Sequence, residues 1–245
     1  MSAVKRLIDI AGAAIGLIVL APILLMVCAL IWLQDYRTPF YLGRRMAKGG
    51  GVFHMVKLRS MVVDAHRTGV NSTSDGDCRI TPIGRFIRAV KLDEFMQLWN
   101  VLIGDMSLVG PRPQVETDAG MYTDIERRML SVRPGITDLA SIVFSDLGDI
   151  LKDADHPDLR YNQIVRPWKS RLALLTIDHQ GFCLDMRIIW LTVTALFSRP
   201  RALRGVNRLL TRWGADDLLI RMARRDEPLL AYPPPGTTDV VSAYP

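Results

Sequence analysis

The sequence predicts an α+β, mainly helical protein. It is expected to hold an N-terminal re-entrant membrane helical hairpin, a cytoplasmic domain with a small β element, and interfacial amphipathic helices. Three observations predict it. Residues 10–33 carry no charge and are long enough to reach across a bilayer. Basic residues flank that run on both sides: Lys5 and Arg6 before it, Arg37, Arg44, Arg45 and Lys48 after it. Beyond the run, apolar residues recur mostly at helical spacing, with one strand-like stretch at Val52–Leu58.

The chain has 245 residues, 49% hydrophobic and 23% charged, with a mean hydropathy of +0.15. That length suits one domain plus a membrane element. The apolar content excludes a disordered chain, and a single long apolar run excludes a multi-span transporter. Cys28, Cys78 and Cys183 are too few and too scattered for a disulfide framework or a zinc site. The net charge of +6 is concentrated near the N-terminus, where Lys5, Arg6, Arg37, Arg44, Arg45, Lys48, Lys57 and Arg59 face only Asp9 and Asp35. A basic collar around an apolar segment points to anionic lipid or phosphate, and no nucleic-acid motif accompanies it.

The apolar run is longer than the core of a secretory signal and ends in Ile31-Trp32-Leu33, with Trp32 and Tyr36 suited to an interface. Pro22 lies near its midpoint, where it removes a backbone hydrogen bond. Positive residues stay on the cytoplasmic side, so a simple span would strand one of the two basic clusters. A helix that bends at Pro22 and leaves by the same face satisfies both. Proline kinks are also tolerated in ordinary spans, so the residues favour re-entry over a simple span without deciding it. Residues 1–36 read as the membrane helix with basic flanks, and 37–200 as the domain it anchors.

Within that domain, Pro39-Phe40-Tyr41 opens an extended region, Lys48-Gly49-Gly50-Gly51 reads as a tight turn, and Val52–Leu58 as a strand. A polar loop occupies 71–77. Leu92, Phe95, Met96, Trp99, Leu102 and Ile103 form a helical stripe that Gly104 ends. Turns follow at Gly110-Pro111-Arg112-Pro113 and Arg133-Pro134-Gly135, and helices are expected over 168–177 and 184–197. Residues 201–226 read as a basic amphipathic helix, either on the membrane surface or packed on the domain. Residues 227–245, with Pro233-Pro234-Pro235, read as a disordered tail.

Asp93 and Glu94 are the central candidates for chemistry. Adjacent acids at a helix start ordinarily complement its dipole. Here Arg79, Arg85, Arg88 and Lys91 precede the pair, and Arg112 follows in a turn whose two prolines restrict the backbone on both sides. Phosphoryl transfer needs this mixture: carboxylate as nucleophile or Mg²⁺ ligand, guanidinium for the charge on phosphate oxygens. His54, His66, His156 and His179 show no ligand spacing, so a metal would be Mg²⁺ on carboxylate oxygen.

Several longer segments run in the order of a known family. They are Lys5-Arg6-Leu7-Ile8-Asp9, Pro22, Lys57-Leu58-Arg59-Ser60-Met61 and Arg79-Ile80-Thr81-Pro82-Ile83-Gly84-Arg85-Phe86-Ile87-Arg88. Next come Leu92-Asp93-Glu94, Gln97-Leu98-Trp99-Asn100, Gly104-Asp105-Met106-Ser107-Leu108-Val109-Gly110-Pro111-Arg112-Pro113 and Arg133-Pro134-Gly135-Ile136-Thr137. Together they resemble the bacterial sugar transferases, monotopic phosphoglycosyl transferases acting on polyprenol phosphate.

The resemblance implies transfer of a sugar 1-phosphate from a UDP-sugar to undecaprenyl phosphate, with release of UMP, at the start of bacterial glycan assembly. It implies that Asp93 attacks the β-phosphorus and becomes a phospho-sugar ester in ping-pong fashion, that Glu94 assists, and that Mg²⁺ sits by Asp93. Arg88 and Arg112 would hold phosphate or nucleotide, with Lys57 and Arg59 as weaker matches. It also implies the re-entrant helix at Pro22 and a place in the bacterial inner membrane with the catalytic domain facing the cytoplasm. The expected partners are undecaprenyl phosphate, a UDP-sugar and membrane lipids, with room for a homodimer and none for nucleic acid.

The chain departs from the family pattern in places. Ala21 replaces the serine usual before the membrane proline, and Ala47 stands where glycine is common. Asp138-Leu139-Ala140-Ser141-Ile142-Val143-Phe144 replaces a tryptophan-glutamine-valine stretch, which touches sugar choice rather than chemistry. No multi-span region precedes Lys5, so a minimal form is expected. A second reading, a non-enzymatic membrane adaptor that gathers anionic lipid through its basic collar, predicts that Asp93→Asn is silent.

Overall fold

The N-terminal run forms one helix, α1 (Ala3–Asp35), that passes through Pro22. Its 33 residues rise about 50 Å. One face, including Ala13, Leu24, Val27 and Ile31, is buried against the rest of the chain, while Leu7, Ile15, Ile18, Val19 and Leu25 are exposed. Both ends are fastened to the same body. Near the start, Lys5 Nζ reaches Asp185 Oδ2 at 2.5 Å, and Arg6 donates to the carbonyls of Val101 and Leu102. At the far end Arg59 grips Asp35 through two bonds of 2.5 and 2.6 Å. This computed structural model describes residues 3–65, 77–152 and 154–244. His66 and residues 71–76 of the expected polar loop lie outside the described residues.

The expected small β element is present, and it is a β-hairpin. β1 (Phe40–Met46) pairs antiparallel with β2 (Val52–Leu58), in register from Phe40↔Leu58 to Met46↔Val52. Gly49 and Gly50 take φ of +82° and +84° in the turn, a conformation that glycine adopts without strain. On β2, Phe53 and Met55 point inward and pack with Ala13 of α1, Leu98, Val101 and Met106.

α2 (Pro82–Ala89) starts on Thr81, whose Oγ1 accepts the Gly84 amide at 3.0 Å, with proline at its first position. The helical stripe expected over 92–103 is split. Lys91 adopts a left-handed φ of 55°, and the chain makes a 3₁₀ turn over Leu92–Met96 before α3 (Gln97–Ile103). β3 (Ser107–Val109) then pairs in parallel with β4 (Gly135–Thr137), with two short helices between them, α4 (Glu116–Gly120) and α5 (Asp124–Arg127).

A helical layer completes the domain: α6 (Leu139–Val143), α7 (Leu147–Leu151), α8 (Pro157–Ile164), α9 (Arg166–Asp178) and α10 (Phe182–Phe197). It closes over Leu139, Trp168, Leu172, Ile188 and Leu210. Two expectations are corrected here. Residues 201–226 form two helices, α11 (Arg199–Arg212) and α12 (Asp217–Arg224), because Gly214 turns at φ +65° and Asp216 caps the new start by accepting the Leu218 and Leu219 amides.

The segment expected to be a disordered tail has no helix or strand over 225–244, but it is bound to the domain. Its carbonyls at Leu230, Pro233 and Pro235 accept from Trp168 Nε1, Arg171 and Thr123 Oγ1. The Tyr244 hydroxyl donates to Asp118 at 3.0 Å. Prolines lack the amide that regular structure needs, yet their carbonyls still accept.

Candidate active site

Three segments of distant sequence meet at one cluster. The 3₁₀ turn carries Asp93 and Glu94; β2, packed against it, carries Lys57; the turn after β3 carries Arg112. Lys91, left-handed at φ 55°, opens that turn, and both carboxylates lie within 4 Å of the Lys57 ammonium. The Arg112 turn lies backbone to backbone on the Arg133-Pro134-Gly135 turn: the Gly135 amide donates to Pro111 O at 2.9 Å, and a Cβ on Gly135 would fall 2.1 Å from Gly110 N. No side chain fits there, so the glycines of these two motifs are a packing requirement.

Arg112 meets Glu94 in a fork, Nη1 to Oε2 at 3.2 Å and Nη2 to Oε1. Lys57 Nζ stands 3.7 Å from Glu94 Oε1 and 3.8 Å from Asp93 Oδ2. Burial alone would raise Glu94, but Arg112 and Lys57 outweigh it and hold the carboxyl down at about 2. Asp93 goes the other way. Burial raises it, and the charges of Lys57, Arg88 and Arg112 only partly offset that. Among the described residues no donor lies within hydrogen-bond distance of its carboxylate. Burial also lowers the Lys57 ammonium. The cluster thus holds one carboxylate locked as an anion beside another that is desolvated and unbonded. Such opposed pairs are a mark of chemical sites.

Arg88, at the end of α2, acts on Asp93 through charge without an ion pair between them. Arg59 is not brought to the cluster: it points away from Lys57 to Asp35 and to the Thr38 carbonyl, and fastens α1 to β2. Pro22 lies within α1, away from these side chains. No group of three or more His, Cys, Asp or Glu side chains suited to a metal occurs among the described residues. The donor set still fits Mg²⁺, which commonly leans on one or two carboxylates and takes its other ligands from water and substrate phosphate. Glu94 is engaged by Arg112, and Asp93 is the carboxylate left for it.

Residues 1–199 match the model of a single family, the bacterial sugar transferases. The chain belongs to that family. Among relatives, this sugar transferase is 32% identical over 215 residues to the UDP-N-acetylgalactosamine-undecaprenyl-phosphate N-acetylgalactosaminephosphotransferase of Aeromonas hydrophila, covering 86% of this chain and 45% of that protein. It is 32% identical over 182 residues to the UDP-glucose:undecaprenyl-phosphate glucose-1-phosphate transferase of Caulobacter vibrioides, covering 71% and 68%. A Klebsiella pneumoniae protein of the same description is 33% identical over 196 residues, covering 77% and 39%. The chain spans about half the length of the curated relatives it matches.

Sequence reasoning missed the side chains that lie behind Arg112 in the candidate site. Behind Arg112 lies a small cavity of about 30 Å³, lined by Asp118, Asp138, Tyr161 and Lys169 among others. That is room for about one water molecule. Lys169 comes from α9 and lies over the rings of Tyr161 and Phe144; burial pushes its ammonium down to about 8. Asp138 caps α6 by accepting the Ser141 amide at 2.6 Å, and burial raises its carboxyl. Asp138 had a signal, since it follows Ile136-Thr137 directly. Lys169 had none, because an isolated lysine in an apolar helix is ordinary.

Proposed function

We propose that this chain transfers a sugar 1-phosphate from a UDP-sugar to undecaprenyl phosphate, through a covalent intermediate on Asp93. The observation that carries the reading is the asymmetry of the carboxylate pair. Glu94 is neutralised by Arg112, whereas Asp93 is buried, accepts no hydrogen bond among the described residues, and stands 3.8 Å from the Lys57 ammonium. A desolvated carboxylate without donors is a better nucleophile than a hydrated one.

In the first step an Asp93 oxygen attacks the β-phosphorus. The bond from that phosphorus to the bridging oxygen breaks, and UMP leaves with the electron pair. Asp93 is then an acyl phosphate bearing the sugar. In the second step a phosphate oxygen of undecaprenyl phosphate attacks the same phosphorus and expels the Asp93 carboxylate. Lys57 and Arg112 face the charge that builds on the phosphoryl oxygens, and Arg88 adds a longer-range field. Mg²⁺ beside Asp93 would neutralise diphosphate charge and improve the leaving group.

The acceptor is a lipid, which ties the site to the membrane interface. We read α1 as re-entrant in the bacterial inner membrane, with the domain on the cytoplasmic side. A polar domain fastened to α1 at Lys5, Arg6 and Asp35 occupies one side of a bilayer, and a helix held at both ends by that domain does not deliver one end to the other side. The exposed face bearing Leu7, Ile15, Ile18 and Val19 is then the lipid-facing one.

Intact-protein mass measurement tests the proposal. Mixing with Mg²⁺ and a UDP-sugar should add one sugar phosphate, and Asp93→Asn should show no adduct. An adduct retained in that variant would move the nucleophile elsewhere.

A further inference from the structure

Helices α11 and α12 take no part in the chemistry above, and they lie past residue 199, where the family match ends. Between them runs an open groove of about 980 Å³. Arg204, Arg208 and Arg212 follow one another at a four-residue spacing along α11 and are exposed, and Arg224 enters from α12. None of these four has an ion pair among the described residues. At the start of α11, Arg199 shares Asp146 with Arg225, at 2.8 and 2.9 Å, and the Nε of each has no hydrogen-bond partner there. Asp226 brings the only carboxylate to the lining among the described residues.

Crowding this many guanidinium groups in one groove costs free energy through mutual repulsion, and an anion relieves it. Phosphate suits them because the planar fork binds its oxygens in pairs. The neighbouring surface decides which phosphate. α10 exposes Trp190 at its middle and ends in exposed Leu196 and Phe197, the last 87% exposed and two residues before Arg199. A bulky apolar edge beside a cationic groove matches the boundary between acyl chains and headgroups. The long apolar α1 belongs to the same body and meets α10 through the Lys5–Asp185 pair.

We propose that the α11–α12 groove receives the phosphate headgroups of anionic phospholipid at the bilayer surface. This goes beyond the transfer reaction and stands whether or not Asp93 is its nucleophile.

The test uses the full chain in neutral detergent, titrated with dioctanoyl phosphatidylglycerol, dioctanoyl phosphatidylcholine and tripolyphosphate, with binding read by thermophoresis. Phosphatidylglycerol should bind about tenfold more tightly than phosphatidylcholine and weaken as salt rises. The triple variant Arg204→Gln, Arg208→Gln, Arg212→Gln should lose about tenfold in phosphatidylglycerol affinity, with its melting temperature and UMP release unchanged. Should the triple variant lose its fold, Arg208→Glu alone is measured for the same loss. Equal binding of the two lipids, or unchanged binding in the variant, overturns the proposal. Tripolyphosphate binding that matches or exceeds phosphatidylglycerol also overturns it, in favour of a soluble polyanion.

Discussion

Two carboxylate–guanidinium pairs in this molecule use the same chemistry to opposite ends. Glu126 and Arg166 form a sealed knot between α5 and α9. Glu126 accepts from Arg166 Nε and Nη2 at 3.1 and 2.5 Å, from Ser170 Oγ at 2.6 Å and from the Thr123 amide at 3.1 Å, and it is completely buried. Every acceptor site is used, which is the condition for a buried ion pair to hold rather than weaken a fold. The Glu94–Arg112 pair is also a fork, but its side chains are 28% and 30% exposed and it stands next to an acid that accepts no hydrogen bond among the described residues. The first pair spends its charge on the fold. The second leaves Arg112 partly exposed and Asp93 with only the Lys57 ammonium at 3.8 Å, an arrangement that serves chemistry more than stability.

The contrast breaks most visibly at Asp93. Asp93→Asn should lower UMP release by on the order of 10⁴-fold, about 5 kcal/mol in the barrier. Its melting temperature should hold or rise, since the substitution removes a carboxyl that burial had raised. A residual rate near the parent's would make Asp93 a structural acid and favour the membrane adaptor reading.

Arg166→Ala should behave in reverse. Leaving Glu126 buried and unpaired is expected to cost about 3–5 kcal/mol in unfolding measurements. Arg166 also lines the cavity behind Arg112, but it touches neither Asp93 nor Glu94, so the fraction that remains folded should keep most of its kcat. A specific loss of kcat in the folded protein would join the two pairs into one functional unit.

The acid limb of stability sharpens the comparison further. The Glu94 pKa is about 2 in the fold and 4.5 in the free side chain. Its contribution is therefore complete above pH 4.5 and is lost as the pH falls toward 2. Glu94→Gln should remove about 3 kcal/mol of that pH dependence between pH 5 and 2, read from thermal unfolding in detergent. Asp93, raised in the fold, has the opposite sign and favours the folded state as the pH falls. An acid limb identical in parent and variant would mean that Arg112 does not hold Glu94.

Arg59→Lys is the smallest of the four. It exchanges a bidentate pair with Asp35 for a single contact and should cost about 1 kcal/mol of stability. The KM for UDP-sugar should not change. A raised KM would return Arg59 to the substrate site.

The centre of the site was legible in the sequence because short motifs carry it. Asp93-Glu94 after a run of basic residues and Arg112 between prolines each suggest chemistry by residue type, and Lys57 entered only through the family resemblance of its own segment, 57–61. Arg59 was misplaced because its partner Asp35 lies at the end of the membrane helix, and nothing in sequence spacing links the two. The 3₁₀ turn at 92–96 was hidden inside an apolar stripe that fits a regular helix equally well; only the left-handed φ of Lys91 reveals it.

The break between α11 and α12 was readable, since Gly214 followed by Asp216 is a stop and a start. The dense arginines masked it. The tail was read from composition, which reports the absence of regular structure but not the hydrogen bonds that Trp168, Arg171 and Thr123 offer to its carbonyls.

The central claim is that Asp93 carries the sugar phosphate between donor and acceptor. Isotope exchange addresses it most directly: labelled UMP is incubated with UDP-sugar, Mg²⁺ and the protein, with no undecaprenyl phosphate present. The account predicts that label enters UDP-sugar at a rate comparable to turnover, and that Asp93→Asn abolishes the exchange. Exchange that needs the lipid acceptor, or that survives in the variant, would contradict it.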